Sequence, residues 1–207
     1  MLQVEAQQMI TRIYGYGRGN VFTPKDFLDF TSYDNAQKTL ARLAKQGMIR
    51  RLMRGVYEYP AYSKLLNAPA SANPDGIARA IARAHGWTIV PSGNTALNLL
   101  GLSTQVPAKW EYFSDGPTKT YKWSGGKLAF KHRANKETTS LSPKTALLVQ
   151  ALKTLGEDNI DRSTLATLRK RLDEKDRKRA VKEARYATSW IYEIIKRLVT
   201  ESERSRA

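Results

Sequence analysis

The chain has 207 residues, 41% of them hydrophobic and 9% aromatic, enough for one large core or two modest ones. Lys and Arg number 35 against 19 Asp and Glu, a formal charge of +16, and a field of that sign attracts nucleic acid, an acidic protein surface or an anionic membrane. The lack of Cys excludes a disulfide scaffold, a thiol nucleophile and Cys-type zinc sites; with no apolar run near the roughly 20 residues that span a bilayer and no basic region in the N-terminal MLQVEAQQMI, a soluble cytoplasmic protein is expected.

Leu2, Ala6, Met9, Ile10 and Ile13 recur at helical spacing, and GYGRG then ends that helix with residues that tolerate positive φ. Its three glycines do not make a nucleotide loop, which needs a preceding strand and a helix directly after. Val21 and Phe22 suit a very short strand. Thr23 and Pro24 supply an N-cap and N1 proline for a helix through Phe27, Leu28 and Phe30. Ser32 caps a further helix in which Ala36, Leu40, Leu43 and Gly47 share one face and Lys38, Arg42 and Lys45 the opposite one. Met48 to Met53 and Val56 to Tyr59 are β-prone runs joined by Arg54 and Gly55, the pattern of a hairpin with a cationic tip.

Three helices followed by a two-stranded wing is the order of a winged helix-turn-helix. In that geometry the third helix enters the major groove and the wing lies along the backbone or a minor groove. The plainer reading, a solvated charged surface, is outweighed by three features together: helical spacing, an acid-free interval from Asn35 to Tyr57, and a basic turn just after the recognition helix. The expected DNA contacts are Lys25, Ser32, Tyr33, Asn35, Gln37, Lys38, Arg42 and Lys45 from the helices and Arg50, Arg51 and Arg54 from the wing.

GYGRGNVFTPKDF, a helix ending in LARLAKQGMIRRL, and MRGVYEYP resemble the N-terminal domain of the AbiEi-family antitoxins of bacterial type IV toxin-antitoxin systems, and PSGNTALNLLGLSTQVP is similar to the start of that family's second domain. The resemblance covers roughly the first half of the chain; from Ser142 onward only a general helical character is shared. It implies a winged-helix domain that binds operator DNA, an antitoxin domain behind it, autorepression, and a partner toxin of the nucleotidyltransferase type.

Ala61 to Asp75, AYSKLLNAPASANPD, reads as a linker, giving a DNA-binding domain over 1–60, a linker over 61–73 and a C-terminal domain over 74–207. Pro74 to His85 reads as a helix, Trp87 to Val90 as a strand and Asn94 to Leu100 as a helix closed by Gly101. KWEYFSDGPTKTYKWSGGKLAFKHR alternates as strands do, with DG and GG turns, and predicts three antiparallel strands. Trp110, Tyr112, Phe113, Tyr121, Trp123 and Phe130 lie there among Lys109, Lys119, Lys122, Lys127, Lys131 and Arg133. Three readings stand: a core of aromatics with bases in water, a stacking platform for single-stranded nucleic acid, or, by the resemblance, a basic face for an acidic toxin surface.

The last third is helical, with an apolar face in Pro143 to Leu155 and a sharper stripe of Trp190, Ile191, Ile194, Ile195, Leu198 and Val199, which reads as core before partner docking. Lys170 to Arg185 mixes eight bases with four acids and is read as an exposed helical run with a secondary role at phosphate. His85 and His132 have no ligand-like spacing, and neither a phosphate-loop nor a nucleophile-elbow motif occurs. The fold expected is therefore α+β: a winged helix, then a mixed domain with a small antiparallel sheet and C-terminal helices. No catalytic residue, metal or cofactor is assigned. The expected function is an antitoxin and repressor, monomeric in solution, binding operator DNA as an inverted repeat and a nucleotidyltransferase-like toxin, with no membrane partner. A winged-helix regulator with a ligand-sensing or assembly domain and no toxin, and an enzyme acting on nucleic acid, are the alternatives.

Overall fold

A computed structural model describes residues 2–65, 67–133 and 141–204, which form helices and small antiparallel sheets in an α+β fold. Two units separate, Met1–Trp87 with Thr120–Leu128, and Thr88–Lys119 with Ala129–Ala207. No described helix is long and apolar enough to cross a membrane.

In the first unit α1 (Leu2–Tyr16) is followed by β1 (Val21–Phe22), a 3-10 turn (Pro24–Phe27), α2 (Tyr33–Lys45), β2 (Arg50–Met53) and β3 (Val56–Glu58). The helix expected to continue through Phe30 stops after that one turn. The Thr23 N–H donates to the Asp26 carboxylate at 2.7 Å and fixes the start. Phe27 is fully buried, but Leu28 is 45% exposed, and Ser32 already caps the next helix. The strands order β1-β3-β2, all antiparallel, with Phe22 opposite Tyr57 and Arg50 opposite Glu58. Met9, Ile13, Phe22, Phe27, Leu40 and Leu43 make the core, each such burial being worth about 1.5–3 kcal/mol. Phe27 meets Phe22 edge-on at 5.9 Å.

The segment read as a linker contains a small hairpin of β4 (Tyr62–Ser63) and β5 (Ala68–Pro69), and the first unit runs through it to α3 (Pro74–His85). Proline at N1 and Asn73 accepting the Asp75 N–H start α3, and its buried row of Ile77, Ala78 and Ile81 follows helical spacing. Arg83 of α3 pairs with Asp26 at 2.6 Å and so ties the helix to the 3-10 turn.

The second unit holds β6 (Ile89–Pro91), α4 (Gly93–Leu99) and β7 (Trp110–Ser114). The division between units cuts through β8 (Lys119–Trp123) and β9 (Gly126–His132). The sheet order is β6-β7-β9-β8, so β6 joins the three expected strands. Tyr112 and Phe130 are fully buried, Trp110 nearly so, and the Arg133 guanidinium stacks on Phe113 at 4.0 Å. Trp110, Tyr112 and Phe130 thus serve packing, as strand alternation allows, while Phe113, Tyr121 and Trp123 are half-buried. Then follow α5 (Pro143–Leu155), α6 (Arg162–Arg171), α7 (Glu174–Glu183), a 3-10 turn (Ala184–Tyr186) and α8 (Ser189–Arg204). Leu148, Leu152, Leu165, Leu168, Ile195 and Leu198 form their common core.

Candidate nucleic-acid interface

Helix α2 begins because the Ser32 backbone is extended and its Oγ accepts the Asn35 N–H at 3.3 Å. Ala36, Thr39, Leu40 and Leu43 are buried at steps of three, one and three, which leaves Gln37, Lys38, Ala41, Arg42 and Lys45 exposed on the other side. Gly47, at φ +74, ends the helix, with the Met48 N–H bonded to the Leu43 carbonyl at 3.1 Å. The chain then enters the hairpin at Ile49, whose buried side chain anchors it. Met53 pairs with Val56, so Arg54 and Gly55 form a two-residue loop, and Gly55 takes φ +74, which a branched side chain would resist.

Of the sequence-expected contacts, Lys25, Ser32, Tyr33, Gln37, Lys38, Arg42, Lys45, Arg51 and Arg54 are exposed. Asn35 and Arg50 are engaged inside the protein. Asn35 Nδ2 donates to Glu5 at 2.5 Å and to Thr31 Oγ1 at 2.8 Å, linking α2 to α1. Arg50 binds Glu58 through Nε at 2.9 Å and Nη2 at 2.5 Å, and Nη2 also donates to the Ala70 carbonyl at 2.8 Å. Glu58 sits on the central strand with its side chain 2% exposed, so Arg50 is the cation that makes that burial tolerable. Ala41 was not singled out from the sequence, although the steps 37, 41, 45 and 38, 42 place it at the centre of the exposed face; its small side chain lets the backbone approach a ligand.

The electrostatics of this face follow from where the acids go. Glu5 accepts from Thr31 and Asn35, Asp26 pairs with Arg83, Asp29 with Arg12 at 2.6 Å, and Glu58 with Arg50. The hydrogen bond from Arg12 holds the Asp29 carboxyl below its usual range, and the bond that Arg83 donates to the Asp26 carboxylate raises the guanidinium above its own. Only Asp34, in the first turn of α2 where the helix dipole favours it, lies on α2 itself. Among the described residues Lys25, Lys38, Arg42, Lys45, Arg51 and Arg54 form no ion pair. The positive field of α2 and the wing is left for an outside anion.

A groove of about 1000 Å³ runs along the outer side of α1, lined by Val4, Gln8, Arg12, Tyr16 and Phe30, but none of the cations of α2 and the β2–β3 hairpin lines it. His85 stacks on Trp87 at 4.4 Å with Nδ1 at 2.9 Å from the Ile81 carbonyl, and His132 Nδ1 lies 3.0 Å from the Gly116 carbonyl. Among the described residues no group of three or more His, Asp or Glu could hold a metal ion.

A model of a family of unknown function, DUF6088, matches residues 8–180. The chain belongs to that family. The match takes in parts of both units, including the whole of α2 and the β2–β3 hairpin, and α7 up to Ala180. No curated protein matches the sequence. Among solved structures, the chain is similar to the crystal structure of RV2827C protein from Mycobacterium tuberculosis, with 14% identity over 95% of this chain and 76% of that one and a TM-score of 0.42. The functional reading therefore rests on the chain's own residues.

Proposed function

We propose that the first unit is a winged helix-turn-helix that binds double-stranded operator DNA, with α2 in the major groove and the β2–β3 wing on the backbone. The observation that carries this is the unpaired cationic set on one short stretch: Lys38, Arg42 and Lys45 on α2, then Arg51 and Arg54 on the hairpin, while neighbouring acids are occupied elsewhere. Charge on a helix that also exposes Gln37 and Ala41 suits reading as well as holding, since Gln pairs with adenine, Arg with guanine, and Ala meets a thymine methyl. The wing arginines suit phosphate, which positions without reading.

The resemblance of GYGRGNVFTPKDF and PSGNTALNLLGLSTQVP to the AbiEi antitoxins extends this to a cytoplasmic antitoxin that represses its own operon and neutralises a nucleotidyltransferase-like toxin through the second unit. A single winged helix reads few base pairs, so the operator is an inverted repeat bound by two copies of a protein that is monomeric when free.

The test has two arms. For DNA, Arg51→Ala and Arg54→Ala weaken binding to all duplexes, while Gln37→Ala and Arg42→Ala reduce the preference for operator over random duplex; equal effects of both groups on both duplexes overturn the division of roles. For the toxin, co-expression with the product of the adjacent gene restores growth; failure of the full chain to do so removes the antitoxin part and leaves a regulator whose second unit has another task.

A further inference from the structure

Helix α7 has a buried side and a basic side. Arg177 and Ala180 face the core, while Lys175, Arg179 and Lys182 recur at steps of four and three on the exposed side; the 3-10 turn that follows α7 buries Ala184 and exposes Tyr186. In a helical run of mixed charge the acids ordinarily neutralise the bases beside them. Here Asp173, Asp176 and Glu183 are spent on structure, while Glu174 pairs with its neighbour Lys178. Asp173 caps α7 by accepting the Asp176 N–H at 2.7 Å, Asp176 pairs with Lys144, Glu174 pairs with Lys178, and Glu183 accepts the Ser142 N–H and Oγ–H at 2.9 and 2.7 Å. Lys175, Arg179, Lys182 and Arg185 form no ion pair among the described residues. Glu174, Lys175, Lys178, Arg179 and Lys182 line a groove of about 560 Å³.

Just beyond the end of this row Tyr186 is 94% exposed. An exposed aromatic ring beside Arg185, one turn after Lys182 in the chain, is the combination that single strands use: cations hold successive phosphates while an unpaired base stacks on the ring. From Lys175 to Lys182 the row spans about 10 Å at the rise of an α-helix, and Tyr186 stands on the turn just beyond its end. A duplex offers no free base face to Tyr186.

We propose that the α7 face from Lys175 to Lys182, together with Tyr186, is a second nucleic-acid site, selective for single strands and separate from α2 and the wing. Its test uses the full chain and fluorescence anisotropy with a labelled oligothymidylate of about 20 nucleotides, compared with a duplex of the same length. The triple substitution Lys175→Ala, Arg179→Ala, Lys182→Ala lowers affinity for the single strand at least tenfold and duplex affinity less than twofold. Tyr186→Ala lowers single-strand affinity about tenfold and Tyr186→Phe leaves it unchanged, because stacking needs the ring and not the hydroxyl. Arg51→Ala with Arg54→Ala does the reverse, weakening the duplex and sparing the single strand, so failure of either site is seen independently of the other. These side chains are exposed, and unchanged circular dichroism verifies the fold of each variant. The proposal is overturned if the full chain does not bind the oligonucleotide, if the α7 variants bind it normally, or if Tyr186→Ala has no effect while the triple substitution does. Retention of an acidic protein by this face without oligonucleotide binding overturns it equally.

Discussion

Arg50 and Arg51 are chain neighbours of the same type, and their different surroundings give them opposite predicted behaviour. Arg50→Ala removes both hydrogen bonds to Glu58 and the bond to the Ala70 carbonyl, leaving a carboxylate 2% exposed with no cation. Breaking a buried pair costs about 3–5 kcal/mol; since the Arg50 side chain keeps 32% exposure and water can partly replace it, the low end applies, about 3 kcal/mol. With a urea dependence of about 2 kcal/mol per molar, the unfolding midpoint falls by about 1.5 M. Arg51→Ala, on an exposed side chain without an ion pair, moves stability by less than about 0.5 kcal/mol. On DNA the ranking inverts. Loss of one phosphate contact at Arg51 reduces the slope of log affinity against log salt by about 0.9, whereas Arg50→Ala, corrected for the folded fraction, leaves the slope unchanged. Urea unfolding followed by circular dichroism and a salt titration of duplex binding measure both. Arg50→Met combined with Glu58→Leu should recover most of the lost stability, because an apolar pair needs no counterion. An Arg50→Ala protein with the parent midpoint and a reduced salt slope would refute this reasoning.

Asn35→Ala should destabilise by about 1–2 kcal/mol through its lost bonds to Glu5 and Thr31 and leave base preference intact, as read by thermal unfolding and by competition between duplexes. Gly55→Val, forced into φ +74, should cost about 1–2 kcal/mol and weaken duplex binding by deforming the wing; a fully stable variant with parent affinity contradicts the turn geometry. Asp161 caps α6 and is lowered to about 2 by hydrogen bonds from the Thr164 side chain and backbone and from Ser163. A folded value below the usual 3.8 means stability present above pH 3.8 and lost as pH falls towards 2; Asp161→Asn keeps a capping oxygen and should flatten that acid limb of the unfolding curve, which unchanged acid sensitivity would contradict.

Local signals made the scaffold legible. Ser32, the apolar steps of α2, Gly47 and the Arg54–Gly55 turn each act within a few residues, and α2 and the β2–β3 hairpin lie where these signals place them. Pro74 to His85 and Pro143 to Leu155 coincide with α3 and α5, since proline at N1 and glycine after the end mark both ends of each. The 3-10 turn was misread as a longer helix because Leu28 looks apolar in sequence yet faces solvent. Asn35 and Arg50 read as surface contacts because their partners stand elsewhere: Glu5 is 30 positions from Asn35, and Ala70 is 20 from Arg50. The β4–β5 hairpin was missed because pairs this short carry no alternation, and its turn at Asn67, φ 46, resembles any polar loop. On α7 the number of charges was visible, but which acids are engaged by Lys144, Ser142 and the helix cap is a tertiary fact.

The central claim is that α2 and the wing bind duplex DNA with sequence preference. The direct measurement is competition, at one fixed salt concentration, between the duplex upstream of the protein's own coding sequence and a scrambled duplex of equal composition. The account predicts a preference of about 10³-fold or more for the upstream duplex, reduced about 5- to 150-fold by Arg42→Ala, the cost of one bidentate base contact. Equal affinity for the two duplexes, unchanged by Arg42→Ala, would contradict it.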